Sequence, residues 1–213
     1  MADRHRAQRS CLAFLILVSL SGVASAKKDR GLSIADARGL PLGTTVTVQG
    51  TVTVPTNAFD PGFAIQEDKA GIYVLSSGDF ARVLDDEVQV TGTLVESFGL
   101  LAIEPSSVVA LGTGHRVSPR PRKTGDVAEA TEGDLLKLKG TMVGDLVDDS
   151  PFGFLFNIDD GSGPIQVFLF PGTNISTQGL VAGAKLNVVC FSNQFETTFE
   201  CDPRQAEDLE IKK

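Results

Sequence analysis

From residue 44 the chain alternates polar and apolar positions with period two: "TTVTVQGTVTV" (44–54) places Val46, Val48, Val52 and Val54 on one side and Thr and Gln on the other. That period is the pattern of a half-buried β-strand. About ninety residues later "DLLKLKGTMVG" (134–144) repeats it, with Gly140 standing where Gly50 stands. Further features follow in the same order. Phe63 and Ile65 correspond to Phe154 and Phe156, Ile72–Leu75 to Ile165–Phe168, "DDEVQVTG" (85–92) to "GAKLNVVC" (183–190), and "LLAIEP" (100–105) to the segment ending at Pro203. An internal repeat of this length predicts two copies of one small domain. Each copy offers five short strands, the first bent at its glycine, and an acidic turn between strands two and three, "EDKAG" or "DDGSG". Gly71 and Gly163 are expected there because turns need backbone conformations that other residues adopt at a cost. No long helix fits except in the irregular stretch between strands three and four.

Between the copies, "GTGHRVSPRPRKTG" (112–125) has no apolar periodicity and is rich in Gly and Pro, so it reads as a linker. The expected organisation is a first domain over 32–111, this linker, and a second domain over 126–213. Residues 1–26 differ from both. Arg4, Arg6 and Arg9 precede an apolar run of about ten residues and the small-residue exit Ala24-Ser25-Ala26, the layout of a cleaved signal peptide. The run is too short to span a bilayer, which takes roughly 20 residues. The expected location is therefore outside the cytoplasm, periplasmic or extracellular, with no membrane span in the mature chain. Cleavage removes Cys11 and leaves Cys190 and Cys201, which an oxidising compartment favours as a pair, two buried thiols being the alternative. The loop so closed would stabilise by roughly 2–3 kcal/mol.

Charge divides the chain further. Residues 34–111 carry three basic and ten acidic side chains, residues 126–211 four basic and fifteen acidic. The remaining cations collect in the linker, as Arg116, Arg120, Arg122 and Lys123, and at the ends of the mature chain.

Five strands with a bent first member and a short acidic turn after the second suggest the OB-fold, a partly open Greek-key barrel. The fold class expected is all-β: two tandem OB-fold-like five-stranded barrels after the signal peptide. The stretch from Gly50 to Pro105, with "FAIQED", "GIYVL" and "DDEVQVTG", resembles the bacterial OB-fold modules found beside catalytic domains in secreted nucleases and phosphoesterases. Asp85-Asp86-Glu87 departs from the Gly-Asp usual there, and the second copy fits more loosely. In that family the chemistry belongs to a separate domain, so the resemblance implies a non-enzymatic accessory module without cofactors.

The residues agree with that implication. His115 is the one histidine of the mature chain and lies in the linker, which leaves a nucleophile without a placed base, and one His with two paired Cys makes no zinc set. The acidic runs lack calcium-loop spacing. Binding remains. OB barrels engage oligonucleotides or oligosaccharides on the face of strands two and three, and alternation sends Phe63, Ile65, Ile72 and Val74 inward, Ala64, Gln66 and Tyr73 outward. Gln66 and Tyr73 are the expected ligand face, with Phe98 and Phe59 as further aromatics in loops and the linker residues Arg116, Arg120, Arg122 and Lys123 as phosphate contacts. Tyr73 could stack a base or simply cover the barrel wall. Single-stranded nucleic acid is the first expected partner. A basic protein or a glycan is the alternative, favoured by the acidic rim of Glu67, Asp68, Asp85 and Asp86, which repels phosphate.

Overall fold

The structure, a computed structural model, describes residues 31–75 and 81–212. The expected signal peptide, residues 1–26, lies outside the described residues. Among those described, a one-turn helix α1 (Ile34–Arg38) leads into β1 (Thr45–Val54), β2 (Phe63–Glu67), β3 (Ala70–Val74), β4 (Asp86–Ser97) and β5 (Leu100–Thr113). The helix is capped by the Ser33 hydroxyl, which accepts from the Asp36 amide at 3.1 Å, and its Ile34 and Ala37 are buried in the first core. It precedes β1 and is too short to be the long helix for which the sequence left room only after strand three.

These strands close a barrel in the order β1-β2-β3-β5-β4. The long first strand closes it by serving two neighbours: Thr45–Thr51 pair antiparallel with β4, and Thr51–Val54 pair with β2 across a bulge. Gly50 sits at that transfer, where a Cβ would come within 3.1 Å of the Gln66 carbonyl and 3.2 Å of Ile34. The bend expected at this glycine is therefore a close backbone approach. β3 and β5 pair in parallel through Tyr73↔Ala102 and Val74↔Ile103.

The second half repeats the circuit with β7 (Leu135–Asp149), β8 (Gly153–Asp159), β9 (Ile165–Leu169), β10 (Lys185–Phe195) and β11 (Thr198–Asp202). Its strands run β7-β8-β9-β11-β10, with β10 closing on β7 and β9 parallel to β11. The registers confirm the repeat: Val46↔Gly92 and Val74↔Ile103 in the first barrel stand where Leu136↔Cys190 and Val167↔Cys201 stand in the second. Cys190 and Cys201 are disulfide-bonded across β10 and β11 with Cα atoms 5.3 Å apart. The chain is thus an all-β protein of two OB-type barrels, each around its own apolar core.

The linker is less loose than its composition suggests. β5 runs on to Thr113, and Arg120–Pro121 forms β6, parallel to β7. At the far end β12 (Leu209–Lys212) extends the second sheet beyond β10. The sheet order β12-β10-β7-β6 therefore gathers linker, barrel and tail side by side.

The two barrels pack against each other. Phe191 projects from the second into an apolar seam with Val54, Ala64, Tyr73, Leu100 and Ala102 of the first. Around this patch Arg38 bonds both the Gly71 carbonyl (3.1 Å) and Glu132 (2.8 Å), and Arg204 reaches the Thr53 carbonyl (2.7 Å) while held by Asp208. The hairpin tips β4–β5 and β10–β11 also meet, the Glu196 amide donating to the Phe98 carbonyl. At Gly71 the reading of a turn glycine is corrected. It lies within β3 against the Gly133 carbonyl, where any Cβ would overlap, and the left-handed residue of the turn is Asp68 (φ 46°). In the second barrel Gly161 and Gly163 do take positive φ.

Candidate functional site

On β2 and β3 the alternation placed side chains on the correct sides of the barrel wall but could not show what covers the outer side. On β1 the expectation is corrected at Val54, which the bulge after Val52 turns outward into the seam. Phe63, Ile65, Ile72 and Val74 are in the first core, as expected. Gln66 and Tyr73 do point outward, yet they are only 2% and 4% exposed. The Gln66 Oε1 accepts the Leu135 amide of the second barrel at 2.8 Å. The Tyr73 hydroxyl donates to Asp60 Oδ1 at 2.5 Å, and its ring lies 5.8 Å from that of Phe191. Burial first, and the Asp60 carboxylate second, push the phenol far above its ordinary range. The expected open ligand face of the first barrel is therefore corrected: the second barrel occupies it.

The other candidates separate. Phe98 is 69% exposed and stacks on Phe195 with centroids 5.6 Å apart. Phe59 is half-buried and packs on Phe170 at 4.9 Å. Arg116 is exposed and lines a cleft of about 640 Å³ with His115, beside Gln66, Glu67 and Glu87 of the first barrel. Arg120 is half-buried and ion-paired with the buried Asp134; burial, then the neighbouring Arg122, lowers its pKa. Arg122 and Lys123 are exposed.

What the sequence reading missed is a basic track on the outer face of the second barrel. Lys137 and Lys139 alternate outward on β7 while Leu136 and Leu138 fill the core. Register puts Val189 opposite Lys137, Asn187 opposite Lys139, and Lys185 between Thr141 on one side and Lys212 of β12 on the other. Neighbouring strands are about 4.8 Å apart, so these four lysines share one sheet face. Arg122 continues it past β6, lining with Lys137 and Lys139 a hollow of about 400 Å³ that meets a second of about 520 Å³ between Lys139, Lys185 and Lys212. Three of the four cations within 126–211 thus lie together, in a barrel whose net charge is strongly negative.

The nearby carboxylates are engaged. Asp160 accepts from the Ser162 hydroxyl at 2.5 Å and from Thr124 at 3.0 Å, and these bonds hold it below the ordinary carboxylate range. Glu210 accepts from Lys212 (2.6 Å) and Asn187 (2.9 Å), and is likewise lowered. Among the described residues no three His, Cys, Asp or Glu side chains converge as a metal set, and no helix is long and apolar enough to cross a membrane.

No protein family and no curated protein matches the chain. Solved structures give partial overlaps. A murine DNA-binding protein bound with double-stranded DNA aligns with a TM-score of 0.39 and 12% identity, over 78% of this chain and 97% of that one. The p202 HIN1 domain in complex with a 12-mer double-stranded DNA gives 0.36 and 14%, over 82% and 95%. The p204 HINb domain gives 0.34 and 15%, over 80% and 95%. Strand order and register, not these overlaps, define the class: a protein of two OB-type barrels packed face to face, with one cationic sheet face.

Proposed function

We propose that the protein is an exported, non-enzymatic binding module whose ligand is a nucleic-acid strand lying along the basic track of the second barrel. The observation that carries this is the convergence of Arg122, Lys137, Lys139, Lys185 and Lys212 on one face of an otherwise acidic molecule. Phosphate neutralisation supplies most of the affinity of non-specific binding, and an acidic protein can supply it only where its cations are gathered. The acidic remainder then orients the strand, since the net negative charge of both barrels disfavours phosphate away from the track. This moves the contact from the first barrel, where Gln66 and Tyr73 are enclosed, to β7, β10 and β12. Export rests on the layout of residues 1–26, and the absence of turnover on the lack of a placed base in the sequence.

The test is anisotropy of a labelled single-stranded oligonucleotide across a salt series. Five phosphate contacts give a log–log slope of roughly −3.5. Lys137→Glu/Lys139→Glu should abolish binding while leaving the unfolding midpoint in place. No affinity at low salt, or binding insensitive to this pair, sinks the proposal; a duplex of equal length run in parallel identifies the preferred form.

A further inference from the structure

At the end of the seam opposite the track's strand ends, the barrels enclose a cleft of about 190 Å³ walled by Phe59, Tyr73, Phe98, Phe170, Phe191 and Phe195. Four of these rings form tilted pairs with centroids 4.6–6.1 Å apart through the buried Phe191 and the neighbouring Phe168, and Phe98 and Phe195 stack at the mouth. Phe195 is itself 50% exposed, so the mouth is an aromatic pair left in water by two hairpin tips. Pockets for whole small molecules run to roughly 300–1,000 Å³. This one is sized for a single side chain.

Its polar groups select the occupant by sign. Apart from the Ser97 hydroxyl, which acts either way, the side-chain donors of the wall are committed: Tyr73 to Asp60, the Asn193 amide nitrogen to Asp202 at 2.7 Å, the Gln194 amide nitrogen to the Glu196 carbonyl at 2.7 Å. Those bonds fix the amide orientations, and they leave Asn193 Oδ1 and Gln194 Oε1 buried with no partner. No lysine or arginine lines the cleft, and Asp60 does. Aromatic faces and a carboxylate, with no cation of their own, complement a flat positive group.

We infer that this cleft is the docking site for an arginine side chain of a partner polypeptide. A guanidinium stacks on aromatic faces and presents five donors in one plane, and exposed aromatics around a small pocket are the usual anchors of a protein interface. A nucleobase would bring donors too, but it carries its phosphate into an acidic surface, and the cations that could offset this lie on the track. The site is thus independent of the nucleic-acid reading and adds a second, oppositely charged partner.

Tyr73 reports on it directly, being the one tyrosine of a chain without tryptophan. Tyrosine fluorescence should change saturably on titration with the capped tripeptide Gly-Arg-Gly. The neutral citrulline peptide should bind about tenfold more weakly, and so should the arginine peptide to Phe98→Ala/Phe195→Ala. Both phenylalanines are exposed, so this variant keeps the fold, which its unfolding midpoint verifies. The charge reversal at Lys137 and Lys139 should leave the titration unchanged even where it abolishes oligonucleotide binding. Equal affinity for the arginine and citrulline peptides, undiminished binding to the double variant, or saturation by adenosine in place of the arginine peptide would each overturn the inference.

Discussion

The two barrels share strand order and register, yet equivalent positions are filled to opposite ends. Where the first has Gly92 against Ile103, the second has the Cys190–Cys201 bond. A Cβ at Gly92 would meet the Ile103 side chain and the Glu104 carbonyl, so the first barrel fills this space by pairing a large residue with none, and the second by a covalent staple. On the outer face, Tyr73 beside Ala102 in the first barrel becomes Gln166 beside Glu200 in the second. The first barrel offers a largely apolar face to its partner, whereas the second buries the carboxyl groups of Glu200 and Asp202 on β11. A shared skeleton constrains the inward positions and leaves the outward ones free to specialise.

The most disruptive change should be at the seam. Phe191 is fully buried among side chains of the first barrel, and Phe191→Ala removes the ring on which Tyr73 packs. A loss of about 3–5 kcal/mol is expected, measured by urea unfolding and accompanied by easier quenching of Tyr73 by acrylamide. A loss under about 1 kcal/mol would mean that the barrels do not depend on this contact. The staple comes next. Cys190→Ala/Cys201→Ala should cost about 2–3 kcal/mol, whereas transplanting the pair as Gly92→Cys/Ile103→Cys should also destabilise, by about 1–3 kcal/mol, because the new Cβ has no room beside Glu104. Stabilisation of the first barrel by the transplant would break the comparison.

A smaller effect is expected at Gln66. Gln66→Ala leaves the Leu135 amide without its acceptor inside the seam, and an unpaired buried donor costs about 1–3 kcal/mol. This residue also marks what the sequence could show. Alternation identified the barrel strands and, on β2 and β3, the side to which each residue points, because period two is a local property. In β1 the bulge after Val52 breaks the period and turns Val54 into the seam instead of the core. Alternation placed Gln66 and Tyr73 on the outer side correctly. What lies against that side depends on residues such as Leu135 and Phe191, 69 and 118 positions further on, and no local pattern encodes it. Gly71 misleads for the same reason: its constraint is the Gly133 carbonyl of the other barrel. The basic track was illegible in another way. Arg122, Lys137, Lys139, Lys185 and Lys212 are scattered in sequence, and only the order β12-β10-β7-β6 brings them together. The linker cations, conspicuous as a run, diverge: Arg120 turns to Asp134 while Arg122 joins the track.

The subtlest difference between the barrels is their response to pH. Glu200 and Asp202 lie on β11 and are both buried at the seam. Burial raises the Glu200 carboxyl to about 7, against a bond from Gln166 that lowers it; burial, with the Glu200 charge next, also raises Asp202 well above its ordinary value. The folded protein therefore holds protons that the unfolded chain releases. Stability tied to these groups is fully present below the ordinary glutamate value, 4.5, and is lost as pH rises through about 7. The first barrel has Ala102 where the second has Glu200. Glu200→Gln, which keeps the shape and removes the charge, should flatten the decline in unfolding midpoint between pH 5 and 7. A decline that persists in Glu200→Gln and disappears in a first-barrel variant would place the titration on the other side of the seam.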